Sequence, residues 1–405
     1  MPPAGEEGRP EHSVEAPTET VELSEDECAA AALASLAAGP KRLRSFLEGS
    51  RPLDAWYALG AGTHPADPER SYRDEVARIS FARVRDACAR SGAAVRVLGM
   101  PSYPAALADD PEAPAVLFTL GDPAVLHRRP LVAIVGTRSA TTYGLAVASE
   151  LGRGLAEAGV GVVSGLAHGI DAAAHAGVVA VAAGGPPVAV LGAPIDAPVP
   201  AARRTLRDSV TARGFVLSEL APGTRGAPAW WFAVRNRVMA ALAHVVVVVE
   251  AHLSGGSWYT VSAAASRGTT IAAVPGSVRS AASAGSNRLL VDGAVPVRDV
   301  GDVLTALELA VAGRPEVDPP GAHGPGREQS APGSATRSAT NRSTQRQPLG
   351  EMARRVRRAL DHDPASFDAV VGRSGLSVGE VALALEQLEA AGLAVSALGY
   401  WSLTG

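Results

Sequence analysis

The chain has 405 residues, 47% hydrophobic and 19% charged, enough for more than one domain and for a sizeable α/β core. Cys28 and Cys88 are its only cysteines and lie far apart, which excludes a disulfide framework or a cysteine metal cluster and fits a reducing cytosol. The net charge of −4 does not exclude a nucleic-acid partner: residues 1–30 hold nine acids against Arg9 alone, and without them the chain is at about +4.

The start lacks the basic and apolar stretches of a signal peptide, and its acidic, proline-containing run over residues 1–26 is expected to be a disordered tail. Residues 27–105 are rich in Ala, Leu and Arg and read as a small helical domain. Within it, Leu36 to Leu43, with Gly39-Pro40 at its centre, fits either a helix-hairpin-helix module or an ordinary turn between core helices.

From Leu131 the pattern becomes apolar β-rich runs alternating with helical ones, as in βαβ units with a parallel sheet. Strands are predicted at 131–135, 160–164, 187–191, 215–218, 244–250 and 270–274. Helices are predicted near 143–157, 170–183, 202–213, 235–242 and 258–267. Residues 176–195 are uncharged, but Gly184-Gly185-Pro186-Pro187 divides them into a helix end and a strand start, so no membrane span is expected.

Residues 313–348 are dominated by Pro, Gly, Ser, Thr, Arg and Gln and read as a disordered linker. Beyond it, 349–405 reads as a winged-helix-like domain: a helical stripe of Met352, Val356, Ala359 and Leu360, a capping box at Ser377 to Glu380, and a terminal hairpin. Glu380, Glu386 and Glu389 on its recognition helix would repel phosphate, which favours a partner or self-association role. Arg354, Arg355, Arg357 and Arg358 on the preceding helix leave an auxiliary contact with a polyanion such as DNA open.

In a parallel sheet, ligands bind outside the strand carboxyl ends, where this chain places its Gly-rich turns. The first is Gly136-Thr137-Arg138 before the helix near Tyr143; Arg138 offers a planar fork to a phosphate and Gly136 a close backbone approach. It is not a G-x-G-x-x-G turn, so no nicotinamide or flavin cofactor is expected. The second is Ser164-Gly165 through Gly169, followed by Asp171 and His175 on one helix face. That pair lacks a third ligand at metal spacing; Asp171 is read as orienting the loop and His175 as packing at the helix–sheet seam. The third is Ser254-Gly255-Gly256-Ser257 after the valine strand, with Gly285-Ser286-Asn287 as a further polar edge. Arg235-Asn236-Arg237 precedes that strand, and between 203 and 240 seven arginines face only Asp208 and Glu219. Trp230, Trp231 and Phe232 are candidates for stacking on bases, or for the core.

These residues resemble the DNA-processing protein A (DprA/Smf) family. The resemblance runs through Val132 to Arg138 with Tyr143-Gly144, Val162 to His175, Leu217-Ser218-Glu219, Phe232 to Arg237, Glu250-Ala251, Ser254-Gly255, Ala273 to Gly276 and Gly285 to Leu290, spanning about residues 100–300. It implies an α/β fold with an extended Rossmann-like parallel sheet over 106–312, an N-terminal helical domain and a C-terminal winged-helix-like domain. It implies a cytoplasmic, non-enzymatic, dimeric protein without a cofactor that binds single-stranded DNA during natural transformation and helps load the RecA recombinase. Carried over, Arg138 and Tyr143 meet phosphate or sugar, Gly165 and Gly169 let the strand approach, Arg235 and Arg237 anchor further phosphates, and Asn236 fixes the turn or a base edge. Thr137, Ser164, Ser254, Gly255, Ser257 and Asn287 complete the expected contacts.

The chain departs from the family pattern at Val199-Pro200-Ala201-Ala202, where a Tyr-Pro step followed by Asn is usual, and its Ser254 to Thr260 loop is one residue longer. The rival readings are a nucleoside-monophosphate-cleaving enzyme, whose Pro-Gly-Gly-x-Gly-Thr-x-x-Glu motif is absent here, and a sensor of a small nucleotide.

Overall fold

The computed structural model describes residues 23–127, 130–225, 230–253, 255–312, 350–360, 365–376, 380–381, 384–385, 387–388, 393–397 and 400–403. The acidic tail up to Glu22, the linker, Ser254, most of the Ser377–Glu380 capping box, Glu386 and Glu389 lie outside the described residues.

Five helices come first: α1 (Glu25–Ala34), α2 (Pro40–Leu47), α3 (Pro52–Ala61), α4 (Arg73–Val76) and α5 (Phe81–Ser91). Ser24 opens α1 with a reciprocal cap. Its hydroxyl accepts from the Glu27 amide at 3.2 Å, and its own amide donates to the Glu27 carboxylate at 2.9 Å. Then follow β1 (Ala94–Val97), α6 (Ala105–Ala108), β2 (Val116–Leu120), β3 (Leu131–Val135), α7 (Thr142–Glu157), β4 (Gly161–Ser164), α8 (Ile170–Val179) and β5 (Pro187–Leu191). The chain continues with α9 (Ala201–Arg213), β6 (Phe215–Ser218), α10 (Trp231–Val234), α11 (Asn236–Leu242), β7 (Val245–Val248), α12 (Ser257–Ser266) and β8 (Thr270–Ala273). It closes with α13 (Ala284–Val291), β9 (Val295–Pro296) and α14 (Val300–Ala312).

Among the described residues these strands form one sheet in the order β1-β2-β6-β5-β4-β3-β7-β8-β9. It is parallel from β6 through β9, and β1 and β2 are added antiparallel at one edge. The strand order reverses at β3, whose neighbours are β4 on one side and β7 on the other, as in a doubly wound fold.

Both faces are covered, which is why these strands read as unbroken apolar runs rather than alternating ones. Val132 and Ile134 of β3 pack with Leu151 and Leu155 of α7 and Val178 of α8. Leu131, Ala133 and Val135, on the opposite face, pack with Val238, Met239 and Leu242 of α11 and Val261 of α12. The N-terminal helices share a core with the sheet: Leu33, Phe46 and Trp56 cluster with Val95, Phe118, Leu191 and Val216. Strand β1 lies inside the stretch expected to be wholly helical, so the sheet begins at Ala94.

The C-terminal unit comprises α15 (Glu351–Ala359), β10 (Ala365–Ser366), α16 (Phe367–Ser374), β11 (Ala394–Ala397) and β12 (Tyr400–Leu403), with a sheet ordered β10-β12-β11. Val356, Leu360, Val370, Leu376, Val381 and Leu385 form its core, which is the winged-helix plan expected from the sequence.

Candidate nucleic-acid interface

The first turn is locked by main chain both to the segment after β7 and to the second turn. The Thr137 amide donates to the Glu250 carbonyl at 2.7 Å, and the Ile170 amide donates to the Thr137 carbonyl at 3.3 Å. A Cβ on Gly136 would stand 2.5 Å from Ile170 Cγ1 and 2.7 Å from the Glu250 oxygen. Gly169 has φ +86°, and a Cβ there would run into the carbonyls of Thr137 and Arg138. His168 Nδ1 donates to the Arg138 carbonyl at 2.8 Å, closing the contact from the other side. Substituting Gly169→Ala is therefore expected to cost at least about 1–3 kcal/mol, the usual range for a forced backbone conformation, as read from denaturant unfolding.

Asp171 orients the second turn, as expected. Its buried carboxylate accepts from the Gly165 amide at 3.1 Å, and burial raises its pKa against the opposing pull of Arg235. His175 is fully buried at the seam of α8 and the sheet. Its ring nitrogens face the Val162 and Val188 main chain without a well-formed hydrogen bond. Asp171 and His175 thus serve different surroundings, and no cluster of three metal-ligating side chains occurs among the described residues.

Beyond these turns lies a cleft of about 330 Å³, walled by the outlets of β3, β4 and β5. Arg138, His168, Arg203 and Arg207 line it, and no carboxylate is among its lining residues. Phe232 forms one wall and is 38% exposed; the Arg138 guanidinium lies over its ring, 5.2 Å from the centroid. Gly192 at the end of β5 makes room for this ring, since a Cβ there would stand 2.8 Å from Phe232 Cδ1. The neighbouring Trp230 and Trp231 stack on each other at 4.8 Å, with Trp231 buried. One aromatic of the three therefore faces the cleft. Arg207 is steadied by donating to the Ile195 carbonyl at 2.8 Å.

The Arg-Asn-Arg segment does not present its guanidiniums to this surface, contrary to the expectation that both would anchor phosphates. Arg235 is buried beneath Gly165, where a Cβ would collide with its guanidinium. It donates to the Val190 carbonyl and to Asn236 Oδ1, and burial lowers its pKa to about 10. Asn236 ties this segment to the third turn rather than closing its own, donating to the Gly256 carbonyl at 2.9 Å. Arg237 makes a bidentate ion pair with Glu219 at 2.6 and 2.7 Å, both side chains nearly excluded from water. Helix α11 starts at this segment, so its first side chains are drawn inward to the end of β6.

Other expected contact residues are also engaged internally. The Ser164 hydroxyl donates to the Ile134 carbonyl at 2.7 Å and is buried. Ser257 is buried at the start of α12. Asn287 clamps Gly276, accepting from its amide at 3.1 Å and donating to its carbonyl at 3.0 Å. At Gly255 and Gly256 a side chain would meet only open space.

Tyr143 belongs to a second cavity of about 510 Å³ at the outlets of β7 and β8, where its hydroxyl donates to the Pro275 carbonyl at 2.8 Å. Glu250 and Ser277, Ser280 and Ser283 line that cavity. Glu250 already fills the anion position at the start of α7, accepting from the Thr141 amide at 2.9 Å and hydroxyl at 2.7 Å. A phosphate is electrostatically unwelcome there. The cleft at β3–β5 is the cationic site.

Sequence reasoning missed His168, Arg203 and Arg207 as members of that site. The local arginine excess contained the signal, because Arg203 and Arg207 stand one turn apart on the helix that follows the β5 outlet. No helix among the described residues is long and apolar enough to cross a membrane.

The chain matches the model of the DNA recombination-mediator protein A family over residues 94–308 and that of the DprA winged helix domain over 340–399. It is 38% identical over 296 residues to a DprA relative from Mycobacterium tuberculosis, covering 72% of this chain and 69% of that protein. Over 206 residues it is 37% identical to the DNA processing protein DprA of Streptococcus pneumoniae, covering 51% and 71% of the two chains. The X-ray structure of the Streptococcus pneumoniae DNA processing protein A superposes with a TM-score of 0.60 at 28% identity, covering 70% of this chain and 98% of that one.

Proposed function

This chain belongs to the DprA/Smf family of DNA-processing proteins, and on that footing we propose that it binds single-stranded DNA across the outlets of β3, β4 and β5. The observation that carries this reading is a cleft with arginines on two sides, no lining carboxylate and one exposed aromatic ring. Arg138 and Arg203 neutralise phosphates, and Phe232 offers a face to a base. Gly165, whose missing side chain leaves room for the Arg235 guanidinium, keeps the floor smooth for the strand. The chemistry is binding and hand-over rather than turnover: the protein shields incoming DNA during transformation and delivers it to the RecA recombinase, acting as a cytoplasmic homodimer. The winged-helix unit serves a partner or self-association role.

Salt-dependent binding of single- and double-stranded oligonucleotides tests the reading. The wild type is expected to prefer single strands. Phe232→Ala is expected to weaken binding by about 1–3 kcal/mol, one stacked base. Arg138→Ala is expected to weaken it and to reduce the slope of log K against log salt by about 0.7. Equal affinity for both DNA forms, or unchanged binding in both variants, would count against it, and release of free base from nucleoside monophosphates would point to an enzyme instead.

A further inference from the structure

The chain's first 22 residues contain Glu6, Glu7, Glu11, Glu15, Glu19 and Glu22 against Arg9 alone. We propose that this acidic segment occupies the β3–β5 cleft of its own chain and competes with the DNA there. The inference rests on the reading of that cleft as the DNA site.

Three observations carry it. The charges are complementary: Arg138, His168, Arg203 and Arg207 line the cleft without a carboxylate, and Arg204 is exposed on the same turn of α9. The attachment point is fixed: Leu23, where the acidic segment joins the described chain, packs against the same core of N-terminal helices and sheet that takes in Leu166, Leu191 and Leu206 of the cleft wall. The length suffices: 22 residues span up to about 70 Å when extended, more than the roughly 50 Å across a compact domain of this size, so the segment reaches the cleft wherever Leu23 lies. A segment so tethered acts at an effective concentration in the millimolar range, so even weak pairing of carboxylates with arginines displaces a polyanion measurably at low salt.

The acidic stretch also accounts for the sign of the whole chain. Without residues 1–22 the chain is near neutral, at about +1, so the excess of acid is confined to one end. The segment then gives the cleft selectivity for long strands. A short oligonucleotide competes with the tail contact for contact, whereas a longer one adds phosphates outside the cleft that the tail does not cover.

The test uses the full chain with Glu6→Gln, Glu7→Gln, Glu11→Gln, Glu15→Gln, Glu19→Gln and Glu22→Gln combined. Oligothymidylate affinity is measured at about 50 mM and about 300 mM salt. The neutralised chain is expected to bind roughly five- to tenfold more tightly at the lower salt, with the difference vanishing at the higher. A second arm uses no DNA: a labelled peptide of residues 1–22 is titrated with the neutralised chain, with and without Arg138→Ala and Arg203→Ala. Peptide binding is expected to fall at least fivefold in the doubly substituted chain. Equal DNA affinity of wild-type and neutralised chains at low salt overturns the proposal. So does peptide binding indifferent to the two arginines, which would seat the segment elsewhere, for instance on the arginines of α15. If no form binds DNA while the peptide still requires Arg138 and Arg203, the tail contact stands and the DNA reading alone fails.

Discussion

Glu219→Ala is expected to lower the stability of the protein by about 3–5 kcal/mol, because it strands the Arg237 guanidinium without its partner in a nearly dry site. The two side chains are 9% and 12% exposed, so solvent cannot take over the lost pairing. In a domain of this size the loss corresponds to a fall in the thermal midpoint of roughly 10 °C, measurable by calorimetry. Added salt should change the difference little, since buried pairs are poorly screened. A double substitution, Glu219→Leu with Arg237→Met, removes both charges and is expected to recover most of the loss. At a temperature where each variant is folded, DNA affinity should be within about twofold of wild type, as expected for a guanidinium that does not contact phosphate. A loss of affinity in the double variant that tracks salt concentration would restore Arg237 to the interface.

The second large effect is a pH dependence from His175. Burial holds its imidazole pKa down to about 4 in the folded chain, against 6.5 for an unperturbed histidine. Above pH 6.5 the ring is neutral in both states and contributes its full share. Between 6.5 and 4 the unfolded chain takes up a proton that the native protein refuses, so stability falls with falling pH by up to about 3 kcal/mol. Asp171, whose folded pKa is raised, works with the opposite sign over the window above 3.8, and Arg235 lies near both groups. The His175 contribution is therefore isolated as the difference between wild type and His175→Leu. Urea midpoints from pH 7 to pH 4 are expected to diverge progressively toward acid, with the leucine variant the flatter of the two. Parallel curves would mean that the ring gains a proton without leaving the core.

Much of the sheet was legible because buried parallel strands advertise themselves: Pro187–Leu191 and Phe215–Ser218 are apolar runs bounded by turns, and they are strands over those residues. Ala94–Val97 gave no such sign. It is a short antiparallel edge strand with Arg96 in its middle, embedded in an Ala- and Arg-rich region, and only its pairing with Val116–Leu120 makes it a strand. At the site, the glycines were legible because each answers a local steric need, whereas the direction of an arginine is set by its tertiary partner. Arg237 and Glu219 are 18 positions apart, and no local periodicity links a helix start to the end of a strand across such a loop. A signal was nevertheless present. Glu219 and Glu250 each follow an uncharged buried strand, and a carboxylate in that position requires a donor from inside the protein. Glu219 takes an arginine from α11 and Glu250 takes the start of α7.

The hydrogen bond from Thr137 to the Glu250 carbonyl sits where the strand order turns back on itself, the place at which doubly wound sheets usually sink a nucleotide into a crevice. Here main chain fills that slot, with Gly136 pressed between Ile170 and Glu250. The Thr137 and Ile170 amides that would greet a phosphate there are already bonded to carbonyls, and the arginines stand to one side of that crevice, at the cleft of the β3–β5 outlets, where a strand bound as proposed would meet them in succession and be released as salt rises.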